Sequence, residues 1–337
     1  MLCKLLSFIN SFKPSSIEDC ASALLKGDLA ALPTETVYGL ASLALDEDAV
    51  SKIFRLKGRP QTNPLIVHIK DSQMASNLAF VTNYACSIFE EFWPGPITVI
   101  LKKRECVPSS VCADLDTVAV RSPSHSKFRE VLSLVNAPLA APSANKSNKV
   151  SPTTAEHVFN NFGRQSPPIL DGGPCSFGLE STVLDLSGNS PAILRPGPIN
   201  LTQIENCLNT PISINYKTKS DANSAQISPG QFHKHYSPET PLILMDNFEE
   251  LKSSKLNSES DLILCMNSID SNYFQSLNFS TLKLSNSGNP NEVAFNLYAS
   301  LITADSFKKN RIITYKIHQM SEISSAINDR LTRSASK

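Results

Sequence analysis

Residues 57–68 read Lys57-Gly58-Arg59-Pro60-Gln61-Thr62-Asn63-Pro64-Leu65-Ile66-Val67-His68. Upstream, Val50, Ile53, Phe54 and Leu56 recur at helical spacing behind Asp46, a natural N-cap. Gly58 stands where a left-handed residue ends such a helix. Downstream, Leu65 to Ile69 is an apolar run of strand length, so the stretch predicts a helix-to-strand connection of an α/β fold. Pro60 and Pro64 restrict the loop between them. Lys52, Arg55, Lys57 and Arg59 gather where the helix dipole is negative, with no acidic residue between Ala49 and Lys70. A solvated basic helix end accounts for the charges taken alone. A rigid loop that delivers Lys, Arg, Asn and His into a strand also describes a polyanion site.

The rest of the chain supports a globular reading. Its 337 residues suffice for two domains, and 41% hydrophobic with 18% charged residues is a folded composition. The formal net charge is zero and neither half is skewed, which argues against a general nucleic-acid or membrane binder. Eight cysteines are scattered without a C-x-x-C pair, as expected of free thiols in a reducing cytosol. The apolar stretch Leu5 to Ile9 is too short for a signal peptide and no run is long enough to span a bilayer, so a cytoplasmic protein is expected.

In chain order, a helix over Ile17 to Leu25 leads to a strand ending at the hydroxyl-rich loop Pro33 to Leu40. Thr34 and Thr36 in that loop are turn-capping residues or ligand contacts at the end of an α/β strand. Thr117 to Arg121 reads as a buried strand ending in an arginine, suited either to a carboxylate or phosphate ligand or to a structural ion pair. Leu139-Ala140 leads into the polar loop at Ser143 and Asn145, and Ser151 to Thr154 caps the helix around Val158. Ser181 to Asp185 and Ala192 to Arg195 are further strands, the second again ending in an arginine. Strand ends that repeatedly deliver hydroxyls, amides and cations to loops predict one shared cleft.

From Asn209 to Thr240 periodicity is lost, which marks a linker between a domain at 1–208 and one at 241–337. Within it, Ser228 to Pro238 is too aromatic and basic for a spacer and fits a lid. His233 and His235 would suit a metal only with a third ligand, and none is apparent. Beyond Pro241, strands at Leu242–Met245, Leu262–Met266, near Leu282 and Ile312–Ile317 alternate with helices near Glu250, at Glu292–Ile302 and at Ile323–Leu331. The pattern predicts a small Rossmann-like α/β domain without G-x-G-x-x-G.

No Walker A, H-E-x-x-H or G-x-S-x-G sequence occurs. Ser143-Ala144-Asn145-Lys146 matches S-x-x-K without the companion motifs of serine acyl enzymes. Lys57, Arg59, Arg121 and Arg195 together can neutralise a triphosphate and a carboxylate, which points to Mg²⁺-assisted nucleotidyl transfer. A module that holds double-stranded RNA in a basic concavity is the competing class, and the balanced charge argues against it.

Seven strings occur in order: PTETVYGL (33–40), KGRPQTNPLIVH (57–68), FWPGPITVIL (92–101), TVAVRSPSH (117–125), APSANKS (141–147), SFGLESTVLD (176–185) and ILRPG (193–197). They resemble the YrdC-like domain of L-threonylcarbamoyladenylate synthases. SPGQFHKHYSP (228–238) and AINDRLTRSASK (326–337) resemble the long, two-domain form of that family. The resemblance implies an open twisted α/β sheet around a basic concave cleft, followed by the small second domain. It implies synthesis of threonylcarbamoyl-AMP from L-threonine, bicarbonate and ATP, with Mg²⁺ carried by the ATP phosphates and pyrophosphate released. The product would pass to tRNA threonylcarbamoyl transferase proteins acting on ANN-decoding tRNAs; direct RNA binding is allowed but not required.

By the same resemblance, Lys57, Arg59, Ser143 and Asn145 are the catalytic set. Arg59, Asn63, Thr117, Ser143, Ser151, Arg195 and Tyr236 would bind ATP, with Tyr236 closing over the adenylate. Thr36, His68, Arg121, Ala141 and Ser181 would bind threonine. The sequence departs from the family at Cys112-Ala113-Asp114, where more glycine is expected, and this puts the shape of one loop in question.

Overall fold

The computed structural model describes residues 12–215, 236–318 and 323–335. The first domain contains α1 (Ile17–Leu25), β1 (Ala30–Leu32), β2 (Gly39–Leu43), α2 (Glu47–Lys57), β3 (Ile66–His68), α3 (Ser72–Leu78), α4 (Asn83–Phe92) and β4 (Ile97–Lys102). It continues with α5 (Ser109–Cys112), β5 (Thr117–Arg121), α6 (Ser126–Val135), β6 (Leu139–Ala140), α7 (Ala155–Phe162), β7 (Thr182–Asp185), β8 (Ala192–Arg195), α8 (Leu201–Leu208) and β9 (Ser213–Ile214). Its nine strands form one mixed sheet in the order β1-β2-β6-β3-β5-β4-β7-β8-β9.

The connection at residues 57–68 is built as its sequence requires. Asp46 Oδ1 accepts from the Ala49 amide at 3.0 Å, and Gly58 closes α2 with φ 62°. Val50, Ile53 and Phe54 bury the inner face of α2 against the sheet, each contributing about 1.5–3 kcal/mol relative to exposure. The loop then feeds β3, which lies parallel to β5 with His68 opposite Arg121.

Three features depart from the sequence expectation. The region assigned to the linker from Asn209 opens with β9, which pairs parallel to β8 (Ala192↔Ser213), so the first domain extends past residue 208. Two residues are too short a run to carry a periodic signal, and both are exposed. Strand β2, whose Gly39 and Leu40 fall in the loop expected over Pro33 to Leu40, and helices α5, α8 and Ser268–Ser276 were not anticipated. At the glycine-poor loop, Ala113 (φ 52°) and Asp114 (φ 63°) both take the left-handed conformation that glycine adopts without steric cost. The lid reading of Ser228 to His235 lies outside the described residues, which resume at Tyr236.

The second domain comprises β10 (Leu242–Met245), α9 (Phe248–Ser253), β11 (Asp261–Cys265), α10 (Ser268–Ser276), β12 (Ser280–Lys283), α11 (Pro290–Ser306), β13 (Arg311–Tyr315) and α12 (Ser324–Ala335). Its four strands are all parallel in the order β10-β13-β11-β12. Parallel neighbours need crossovers, and α9, α10 and α11 supply them. The core of this domain also takes in Val37, Val150 and Leu179 of the first domain. At Gly178 a Cβ would lie 2.6 Å from the Phe295 carbonyl oxygen, so only glycine lets α11 approach. Among the described residues no helix is long and apolar enough to cross a membrane, and every described cysteine is a free thiol.

Candidate active site

Strand alternation places Thr117, Ala119 and Arg121 on one face of β5, with Ile66 and His68 beside them on β3. On that face Ile66, Ile100, Ala119, Val183, Ala192 and Leu194 form a small apolar floor. At its end a hollow opens to the surface. Of the expected site residues, Thr36, Arg59, His68, Arg121, Ala141, Ser143, Ser181, Arg195 and Tyr236 line it together. Thr117 lies at the opposite end of β5 from Arg121, opposite Lys102. Lys57, Asn63, Asn145 and Ser151 are buried around the hollow without lining it.

On one side, Arg121 donates from Nη2 to Glu35 Oε1 at 2.6 Å and from Nη1 to Thr36 Oγ1 at 2.9 Å. Glu35 Oε2 accepts from the Ser124 amide at 3.1 Å, and Thr34 Oγ1 accepts from the Thr36 and Val37 amides, so the buried loop 33–38 is internally paired. His68 packs on Phe128 with ring centroids 5.2 Å apart, and its buried Nδ1 has no partner. Burial, reinforced by Arg121, lowers the His68 pKa to about 3, so the imidazole is neutral at physiological pH. A neutral ring, an arginine fork and hydroxyls suit a small amino acid whose carboxylate meets the fork.

On the other side, the loop 59–64 wraps its own arginine. Arg59 donates from Nε to Asn63 O at 3.1 Å and from Nη2 to Pro64 O at 2.8 Å. Burial, with Arg195 close by, lowers the Arg59 pKa to about 9, which leaves it cationic at neutral pH. Arg195 holds Ser181 through its carbonyl and hydroxyl at 2.9–3.0 Å. Lys57 does not project into the hollow. Its Nζ donates to the Ser143 and Asn145 carbonyls at 2.5 Å, fixing the Ser-Ala-Asn loop. Burial, then Arg59 and Lys146, lower its pKa well below the usual lysine value. The buried Oδ1 atoms of Asn63 and Asn145 lack partners, acceptors that a ligand's donors would satisfy.

Two carboxylates were missed as site residues. Glu35 backs Arg121, and Glu180 lines the hollow, accepting from Ser151 Oγ at 2.7 Å. Burial pushes the Glu180 pKa up, but Arg330, Arg195 and Ser151 outweigh it and hold the carboxyl below the usual glutamate range. Each is a lone acid beside a hydroxyl already assigned to the site, Thr36 or Ser181. A buried carboxylate there requires a cation, and that requirement is the signal that was available.

Such a cleft places this chain among YrdC-like α/β nucleotidyltransferases, and known proteins agree. The Sua5/YciO/YrdC family model, described as telomere recombination, matches residues 22–197; a second, described as the threonylcarbamoyl-AMP synthase C-terminal domain, matches residues 199–336. The threonylcarbamoyl-AMP synthase of Pyrococcus abyssi (strain GE5 / Orsay) is 42% identical over 231 residues, covering 68% of each chain. That of Bacillus subtilis (strain 168) is 43% identical over 236 residues, 69% of this chain and 68% of its own. The crystal structure of P. abyssi Sua5 complexed with L-threonine matches at TM-score 0.84 and 34% identity over 95% of this chain and 94% of that one. E. coli YciO, at TM-score 0.51, 24% identity and 56% of this chain against 92% of its own, shares the fold of the first domain. The chain belongs to the threonylcarbamoyl-AMP synthase family.

Proposed function

We propose that the hollow joins L-threonine, bicarbonate and ATP into threonylcarbamoyl-AMP. The observation that carries this reading is the convergence of Arg59, Arg121 and Arg195 with hydroxyls on one hollow. Threonine lies with its carboxylate on Arg121 and its hydroxyl among Thr36, His68 and Ser181. A site that pairs the substrate hydroxyl disfavours valine, which would leave buried polar groups unpaired. The amine attacks the carbon of bicarbonate and water leaves, giving a carbamate. A carbamate oxygen then attacks the α-phosphorus of ATP, forming the mixed anhydride as the bond to pyrophosphate breaks.

Both reactants of that second step are anions, so the protein's work is charge neutralisation and in-line placement. Arg59 and Arg195 face the phosphates, Asn63, Ser143, Asn145, Ser151 and Thr117 flank the nucleotide, and Lys57 acts by holding the Ser-Ala-Asn loop. Mg²⁺ would be carried by the ATP phosphates and would add positive charge there. Tyr236 excludes water from a carbamate that decomposes in it. The product then serves tRNA threonylcarbamoyl transferase proteins acting on the adenosine after the anticodon of ANN-decoding tRNAs.

The test is pyrophosphate release that depends on all three substrates. Arg59→Ala is expected to abolish it with the fold intact by circular dichroism; near-normal turnover would remove Arg59 from the reaction.

A further inference from the structure

Two side chains of the second domain bond to Glu180 in the wall of the hollow. Arg330 on α12 is fully buried and donates from Nε to Glu180 Oε2 at 2.9 Å and from Nη2 to the Pro196 carbonyl at 3.0 Å. Tyr298 on α11 donates its hydroxyl to the same Glu180 oxygen at 2.8 Å. The Arg330 guanidinium carbon lies 5.4 Å from the centroid of the Tyr236 ring, which stacks on Tyr298 at 5.6 Å. Ser334, one turn beyond Arg330, donates to the Tyr236 carbonyl at 2.8 Å. One carboxylate in the cleft wall and the aromatic ring beside it are therefore both held by α11 and α12.

A carboxylate facing a cleft that must take up a triphosphate is a liability. At about 8 Å an uncancelled unit charge still repels a phosphate by an amount that matters at the intermediate dielectric of a cleft. Glu180 also sits among Ser151, Ser181 and Arg195, the residues assigned above to the nucleotide and threonine. We propose that Arg330 and Tyr298 are positioning residues for the ATP side of the cleft: from the second domain they cancel and fix the Glu180 carboxylate, so that the wall presented to the phosphates is cationic. The second domain is then an electrostatic component of the active site. This inference rests on the placement of the ATP phosphates near Arg59 and Arg195.

The test compares full-length wild type, Arg330→Met and Arg330→Met/Glu180→Gln by the KM for ATP, the KM for threonine and thermal unfolding. Arg330→Met is expected to raise the ATP KM at least about tenfold while the threonine KM moves less than about threefold. The double variant, which removes the stranded charge, is expected to return the ATP KM to within about threefold of wild type. An unchanged ATP KM in Arg330→Met overturns the proposal, as does equal impairment of single and double variants, which would mark Arg330 as packing only. Should Arg330→Met not fold, Tyr298→Phe decides: it keeps the ring and loses the hydrogen bond, and an unaltered ATP KM overturns the proposal. Absence of ATP-dependent turnover in wild type would instead defeat the proposed function.

Discussion

Two buried arginine–glutamate pairs flank the cleft and are built in opposite senses. On the side proposed for threonine Arg121 faces the hollow and Glu35 stands behind it, 2.6 Å away. On the side proposed for the nucleotide Glu180 faces the hollow and Arg330 stands behind it, 2.9 Å away. The first pair lies within one domain, whereas the second crosses from one to the other. Desolvation makes a buried pair a poor source of net stability, so such pairs are better understood by what they present. The first presents a cation and keeps its geometry fixed by the carboxylate at its back. The second presents a carboxylate whose charge must be cancelled, and the second domain does so from behind, with Arg330, while Arg195 of the first domain adds its charge.

The largest expected effect comes from breaking the local pair. Arg121→Ala strands the Glu35 carboxylate in a site where its side chain is 5% exposed, at a cost of about 3–5 kcal/mol. Threonine binding, read by calorimetry, should be lost with it, and Glu35→Gln added to Arg121→Ala should recover stability without recovering binding. Retained threonine affinity in the single variant would show that the fork does not take the carboxylate. Loosening the other side should cost less. In Gly178→Ala the new Cβ meets backbone oxygens of α11 at 2.6 and 2.8 Å, on a residue with φ +71°, a strain of about 1–3 kcal/mol. Stability should fall by that amount and the ATP KM rise, while threonine binding stays; unaltered unfolding would mean that α11 is not seated on residue 178.

The contrast also explains what the sequence could reveal. The helix stop at Gly58, the proline-bounded loop, the strand into His68 and the arginines ending two strands are local patterns, and all lie where those patterns predict. Arg121 had two readings, ligand contact or ion pair; the structure shows the ion pair, with the same guanidinium lining the hollow. Arg330 and Glu180 are 150 positions apart, joined by how two domains pack, and no periodicity records that. The stretch 326–337 was recognisable as a family ending, but its composition does not say that one of its three-turn helix's arginines is fully buried. Ala113 and Asp114 show the reverse case: a missing glycine was legible, and the backbone takes the left-handed conformation there regardless.

Acid separates the two sides with the smallest effect. In the folded protein His68 has a pKa of about 3, against 6.5 for an unhindered imidazole. Between those values the unfolded chain binds a proton that the folded one refuses, so stability is complete above pH 6.5 and declines as the pH falls toward 3. One unit below 6.5, at pH 5.5, the loss from this residue is about 1.4 kcal/mol. His125 and His157 are also lowered, by burial, and add to the slope, so the measurement is a difference between wild type and His68→Gln in urea unfolding from pH 7 to 5. Glu180 is held below the usual glutamate range and surrenders its contribution only at lower pH, as protons fill the carboxylates. Over pH 7 to 5 the wild-type curve should therefore fall more steeply than that of the variant, a loss belonging to the threonine side alone. Parallel curves would mean that His68 takes up its proton in the folded protein, and the neutral ring assigned beside Arg121 would have to be abandoned.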